Sequence, residues 1–302
     1  MNPARRGPIV LATAGSSSSG APVLAARLLA AQLDVSLEVV TVLEPIPAYA
    51  GSPLAAPVSR ADIDDARRDA RETIVQDYVA RFSGGAAPAR VHVRFGSVAQ
   101  QIARGARDLA ATLVVVGAAP RERLRRVVAG ELAAHVLRSA DCPVLSVPPT
   151  FTRLPKHVLV GVDFGPASVR AAQAALLLLG DGGTLTITHV LPPLTNVAAL
   201  REPDAPGIAS GARAMFEHLR DVLGPCVPDN VAVEMRLVTD DAVDGILKSV
   251  PALDADLIAV GTQGPKLVER LLVGSVASSV LHSAECPVLA APPPPPASAI
   301  RG

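Results

Sequence analysis

Two stretches of this chain return at one fixed interval. Leu113-Val114-Val115-Val116-Gly117 reappears as Leu257-Ile258-Ala259-Val260-Gly261. Ala140-Asp141-Cys142-Pro143-Val144-Leu145 reappears as Ala284-Glu285-Cys286-Pro287-Val288-Leu289. The interval is 144 positions in each case (117 to 261, 142 to 286), and Gly130 and Gly274 share it without a gap. A common interval across apolar, Gly, Cys and Pro positions marks two copies of one unit. At 302 residues the chain has room for two domains of ordinary size.

Each copy alternates apolar runs with helical patterns. In the second, Val158–Val162 reads as a buried parallel strand. Ala171–Leu179 reads as a helix and Thr184–Val190 as a β-branched strand. Met215, Leu219 and Val222 lie at helical spacing, and Val231, Val233, Met235 and Leu237 alternate as in a strand. Asp240 or Asp241 is placed to cap a helix carrying Val243, Ile246, Leu247 and Val250. Strand Leu257–Val260, a loop, a helix from about Gly274 to Ser283 and a strand Pro287–Ala290 complete the copy. In the first copy the strands are Ile9–Ala12, Leu37–Val42, the alternating Val91, Val93 and Phe95, Leu113–Val116 and Val144–Val147. Ser59–Phe82 reads as a long helix with Ala66, Ala70, Ile74, Tyr78 and Phe82 on one face, and Ser59 with Asp62 forms a capping-box-like start. Such β-α alternation predicts an α/β fold, with parallel sheets covered by helices on both faces. The expected organisation is a first domain over 1–149, a linker over 150–156, a second domain over 157–291 and a Pro-rich tail over 292–302.

Composition narrows the function. Lys+Arg and Asp+Glu both number 28, so the basic excess wanted by a generic nucleic-acid or anionic-membrane surface is absent. Aromatic residues are 2% of the chain, too few for the stacking platforms of single-strand binders. Three widely spaced cysteines, with no CxxC, fit neither a disulfide framework nor a structural zinc site. No run has the length of a signal-peptide core or a bilayer span, which predicts a cytoplasmic protein. Cys142 and Cys286 read as packing thiols rather than redox sensors.

The informative loop is Gly261-Thr262-Gln263-Gly264, nine further residues, then Gly274-Ser275. A strand runs into it and a helix leaves from it. Ligands of parallel sheets sit beyond the carboxyl ends of the strands. Glycines there allow close backbone approach, and the free N–H groups of a helix start face an anion. Ser275 adds a hydroxyl. The arrangement can cradle phosphates without a Walker lysine, although the Gly-x-x-Gly alone also describes a plain turn.

With this G-x2-G-x9-G-[S/T] pattern, the strand-end Asp163 of Val-Gly-Val-Asp, the His189-Val190 pair and the Cys-Pro-Val-Leu segments at 142 and 286, the chain resembles the universal stress protein family in its tandem two-domain form. The resemblance covers almost the whole chain, twice. It implies a Rossmann-like five-stranded, mostly parallel sheet in each domain and ATP binding in the motif-bearing copy, with or without Mg²⁺. It places Asp163 and Val190 at the adenine side. Val260, Gly261 and Gly264 would lie along the ribose and phosphates, and Gly274, Ser275 and Val276 at the phosphates. In that family the terminal strands pair across a dimer. Here Val144–Val147 and Val288–Ala290 are thus expected to pair within the chain as a pseudo-dimer, a homodimer remaining open.

The first copy departs from the pattern. Ala14 stands at the place of Asp163, Pro120 at that of Gly264 and Glu131 at that of Ser275. Proline removes an N–H donor, and a carboxylate at a helix start repels phosphate. The first domain is therefore expected to bind ATP weakly or not at all. The run Arg121, Arg123, Arg125 and Arg126 reads as a solvated charged face, and Ala14–Gly20 as a strand-to-helix loop. No catalytic residues assemble: His92, His135, His157, His189, His218 and His282 are scattered, and no metal-ligand spacing occurs. For Asp163, nucleotide or metal recognition and a helix-start cap both stand on the residues alone; the resemblance favours recognition. The sequence thus supports an ATP-binding stress-response regulator acting with a regulatory protein of unknown identity. Its alternatives are a nucleotide-independent interaction scaffold, a slow ATPase and a relative of the adenine-nucleotide α-hydrolases.

Overall fold

A computed structural model gives the structure of the chain, describing residues 6–16, 19–45, 60–84, 89–118, 130–180, 182–193, 206–263 and 273–294. The first half contains strands β1 (Ile9–Ala12), β2 (Leu37–Leu43), β3 (Arg90–Phe95), β4 (Leu113–Gly117) and β5 (Val144–Val147). Helices α1 (Ala21–Leu33), α2 (Arg60–Phe82), α3 (Val98–Asp108) and α4 (Glu131–Leu137) lie between them in turn. The second half repeats the order with β6 (His157–Gly161), α5 (Pro166–Leu178), β7 (Thr184–Leu191), α6 (Pro206–Leu223), β8 (Ala232–Thr239), α7 (Ala242–Ala252), β9 (Leu257–Gly261), α8 (Ser275–Ser283) and β10 (Val288–Ala291).

All ten strands form one sheet in the order β3-β2-β1-β4-β5-β10-β9-β6-β7-β8. Every neighbouring pair is parallel except β5 with β10, which run antiparallel with Leu145 opposite Leu289 and Ser146 opposite Val288. The terminal strand of each half would be an open edge alone; each covers the other. Because this one junction is antiparallel, the carboxyl ends of β6 and β9 lie on the same side of the sheet as the amino ends of β1 and β4.

Within each half the chain steps outward over three strands and then returns to the far side of the first. The helices before the return cover one face and those after it the other, as right-handed crossovers require. The central strands are buried on both faces, which is why they read as unbroken apolar runs. Helices α1 and α5 press Ala-rich faces onto the sheet, filling the core with few aromatic rings.

Two helix faces differ from the sequence reading. In α2, Val75, Tyr78 and Val79 are buried while Ile74 is 51% exposed. A strict four-residue spacing advances about 400° per step, so it drifts off one face of a 3.6-residue helix. In α6 the buried stripe is Ala212, Phe216, Leu219 and Leu223, while Met215 and Val222 are 47% and 37% exposed. Ser59, Pro120, Gly264, the arginines from 121 to 126 and the tail beyond Pro294 lie outside the described residues.

The segment between β5 and β6 is tied down. Phe151 is buried, and Asp256 accepts from the Lys156 and His157 amides at 2.8 and 3.1 Å while pairing with Arg153 at 2.8 Å. Across the two halves, Gln32 Nε2 donates to the Leu177 and Leu179 carbonyls at 2.7 and 2.8 Å. Arg170 donates to the carbonyls of Asp141, Pro292 and Pro293 at 2.6, 3.2 and 3.0 Å.

Candidate functional site

The strand order of the second half reverses between β6 and β9, which leaves a crevice beyond their carboxyl ends. A cavity of about 360 Å³ occupies this place, within the usual range of small-molecule sites. Asp163, Val190, Val260, Gly261, Gly274, Ser275 and Val276 all line it. The fold therefore brings together seven of the eight residues singled out from the sequence, and the eighth, Gly264, lies outside the described residues.

The loop after β6 sets one wall. Asp163 is exposed, and its Oδ1 accepts from the Gly165 amide at 2.9 Å. Oδ2 has no partner among the described residues, so the carboxylate holds its own loop and still presents an acceptor. Phe164 follows at φ +60°, a left-handed conformation that costs a non-glycine residue of order 1 kcal/mol or more. Its ring offsets that cost by packing on His189 at 4.8 Å and edge-on to Phe216 at 5.2 Å between centroids. His189 Nδ1–H in turn donates to the Val162 carbonyl at 2.7 Å, which holds the loop and fixes the ring.

The opposite wall is the start of α8. Gly274 is its N-cap residue, no side chain caps it, and the Gly274 amide donates to the Thr262 carbonyl at 2.6 Å. The amides of Ser275, Val276 and Ala277 have no acceptor within the helix, as in any first turn. They lie at the positive end of a nine-residue helix, where negative charge is favoured. Gly261 is needed for a different reason: a Cβ there would fall 2.5 Å from the Ser168 nitrogen, so β9 and α5 meet only through glycine.

The floor is apolar and comes from Val190, Val260 and Ile246. Beneath it lies Thr188, fully buried, whose hydroxyl has no hydrogen-bond partner among the described residues. An orphaned buried hydroxyl costs about 1–3 kcal/mol, and Thr41 on β2 of the first half carries another. Thr188, Ile246, Ala242 and Gly161 were not singled out from the sequence. They join the site only because α7 packs over β7, a long-range contact that no local pattern records; the one signal was a run of threonines in a buried strand. Asp163 is the only carboxylate among the described lining residues, and no group of three or more His, Cys, Asp or Glu forms a metal cluster among them.

In the first half the same loop is built differently. Gly15 takes the left-handed conformation at φ +70° where the second half has Phe164. Ala14 offers no carboxylate, and its carbonyl accepts from Arg71 of α2 at 3.0 Å. Gly130 caps α4 at φ +80°, and a Cβ there would overlap the Leu281 carbonyl of α8. Its place in the repeat thus reflects packing between the halves. Glu131 opens α4 and occupies the position of Ser275.

A larger cavity of about 840 Å³ runs along the seam, but its charged lining is committed: Arg170 is bonded to the Asp141 carbonyl, and the Asp141 carboxylate to Arg107 at 2.7 Å. Burial pushes the Cys142 thiol there up to about 12, which makes it a poor nucleophile; Cys286 is raised to about 11 for the same reason. Asp241 caps α7 by accepting from the Val243 amide at 3.0 Å. No helix among the described residues is long and apolar enough to cross a membrane.

Comparison with known proteins agrees with this architecture. A universal stress protein of Mycobacterium tuberculosis is 28% identical over 185 residues, which cover 60% of this chain and 62% of that protein. A universal stress protein of Mycolicibacterium smegmatis is 26% identical over 300 residues, covering 94% of this chain and 97% of its own. Among solved structures, a universal stress protein from Archaeoglobus fulgidus superposes with a TM-score of 0.63 at 19% identity, covering 94% of this chain and 98% of that one. A putative universal stress protein from Pseudomonas aeruginosa gives 0.61 at 19% identity, with 95% and 94% covered. These two likenesses establish the fold. The family model for universal stress proteins matches residues 6–148 and again 155–292, so the chain belongs to the universal stress protein family, in tandem form.

Proposed function

We propose that the second half binds an adenine nucleotide, ATP in the first place, and that the first half is a degenerate copy serving as its built-in pairing partner. The observation that carries this reading is the uncapped start of α8 facing Asp163 across an apolar crevice with an unsatisfied buried hydroxyl. Val190, Val260 and Ile246 offer a surface for a flat ring, the Thr188 hydroxyl a polar contact, and the Gly274–Ala277 turn a cradle for phosphate. If Mg²⁺ accompanies the nucleotide, Asp163 Oδ2 is the acceptor available to it, the phosphates supplying the rest. Among the described residues that line the crevice no base is hydrogen-bonded to a hydroxyl or thiol, and we take occupancy rather than turnover as the output, acting by a shift between conformers or partners.

Calorimetric titration of Mg-ATP into wild type and Ser275→Glu tests the site. The variant copies Glu131 of the first half. A carboxylate about 4 Å from a phosphate costs roughly 1 kcal/mol in water and several times that when partly buried. The expected loss is about tenfold or more in affinity; equal affinity in both proteins would remove the assignment. Phosphate release that vanishes in Asp163→Ala would instead favour the slow-hydrolase alternative.

A further inference from the structure

A second cavity, about 400 Å³, lies on the other side of the phosphate-loop base and is shared by both halves. The second half supplies Thr262, Gln263 and Val273, immediate neighbours of Gly261 and Gly274. The first half supplies Arg104 and Arg107 from α3 and Arg138 from the end of α4. The antiparallel junction is what brings them here. The carboxyl ends of α3 and α4 lead into the amino ends of β4 and β5, and these lie beside the carboxyl ends of β9 and β10.

Among the described residues, charge at this cavity is unbalanced. Arg107 is bound to Asp141, the only acid among the described lining residues. Arg104 and Arg138 have no acceptor among the described residues, and both are exposed. The chain as a whole is neutral, so two uncompensated guanidinium groups around one concavity are a local feature. A helix C-terminus attracts cations, which accounts for Arg107 and Arg138 singly, but not for Arg104 or for their convergence on a cavity whose other wall includes Thr262, Gln263 and Val273.

We infer that this cavity is a phosphoryl-binding pocket spanning the two halves, with Arg104 and Arg138 as its anion-binding side chains. Guanidinium groups bind phosphate oxygens in bidentate fashion, and a diphosphate group is the matching ligand class. That group can come from the terminal phosphates of a nucleotide in the adjacent crevice or from a free diphosphate. The first source rests on the function proposed above; the second does not.

The test is titration of inorganic pyrophosphate into the full chain at low salt, comparing wild type with Arg104→Ala/Arg138→Ala. Binding in wild type that weakens tenfold or more in the double variant is expected. The melting temperature should be unchanged, since both side chains are exposed. Absence of pyrophosphate binding in wild type, or equal binding in both proteins, overturns the inference. Arg104→Glu should weaken binding further than Arg104→Ala. The source is read from ATP and AMP titrations. A tenfold fall in the ATP-over-AMP preference of the double variant identifies nucleotide phosphates, and an unchanged preference with pyrophosphate binding lost identifies a free diphosphate. Failure of both nucleotides to bind would sink the nucleotide reading and leave the pyrophosphate comparison to decide this one.

Discussion

A methyl group at Gly130 would overlap the Leu281 carbonyl and force a left-handed backbone on an L-residue, yet the matching Gly274 has φ −56°, open to any side chain. The repeat thus retains one residue type on two different backbones, left-handed and tightly packed at Gly130 and extended at Gly274. Gly130→Ala is expected to lower stability by about 2 kcal/mol or more in urea unfolding, combining backbone strain with a steric clash. A glycine in a sequence carries no mark of which purpose it serves, because the atoms that would collide belong to a segment about 150 positions away. Asp163 poses the same difficulty. Of its two sequence readings, the helix-start cap is not met, since Gly165 is the N-cap of α5 and no side chain caps it; Asp163 Oδ1 instead accepts from the Gly165 amide, and the ligand-acceptor reading rests on the proposal above.

At the level of the element, strands were more legible than helices. Ile9–Ala12 and Val144–Val147 have the boundaries expected from their apolar runs, since a strand buried on both faces needs apolar residues at every position. Helices α1, α3 and α4 were not read from the sequence, although α3 carries a clear buried stripe in Ile102, Ala103 and Ala106. Helix α1 is apolar on most sides, being largely alanine and leucine, and so shows little periodicity. In α6 the helical spacing of Met215, Leu219 and Val222 was visible, but only Leu219 of the three is buried, because several apolar stripes fit one amphipathic stretch and only the sheet selects among them. This gives a direct check: Leu219→Ala should cost about 2–5 kcal/mol as a buried cavity, whereas Met215→Ala should stay within about 0.5 kcal/mol. The crevice was legible as far as the glycine motif reaches. Thr188 and Ile246 were not, because their place depends on α7 lying across β7.

For the whole molecule, the buried Cys142 and half-buried Cys286 thiols couple stability to pH. Burial raises Cys142 to about 12 and Cys286 to about 11, above the ordinary thiol value of an unfolded chain. The unfolded chain therefore loses these protons first as pH climbs. The native advantage is complete below about pH 9 and erodes between about pH 9 and 12. Urea unfolding at pH 8, 10 and 11 should show this decline, and Cys142→Ala should flatten part of it.

The continuous sheet has one more consequence. When identical subunits meet edge to edge, any substitution that plugs one ligand cleft plugs its twin as well. Here both sides of the seam are encoded separately and held together by the Phe151 to His157 tether and the β5–β10 pairing. Selection can then alter one mouth while sparing the other, and the covalent join guarantees that every molecule is the mixed, never the matched, pair.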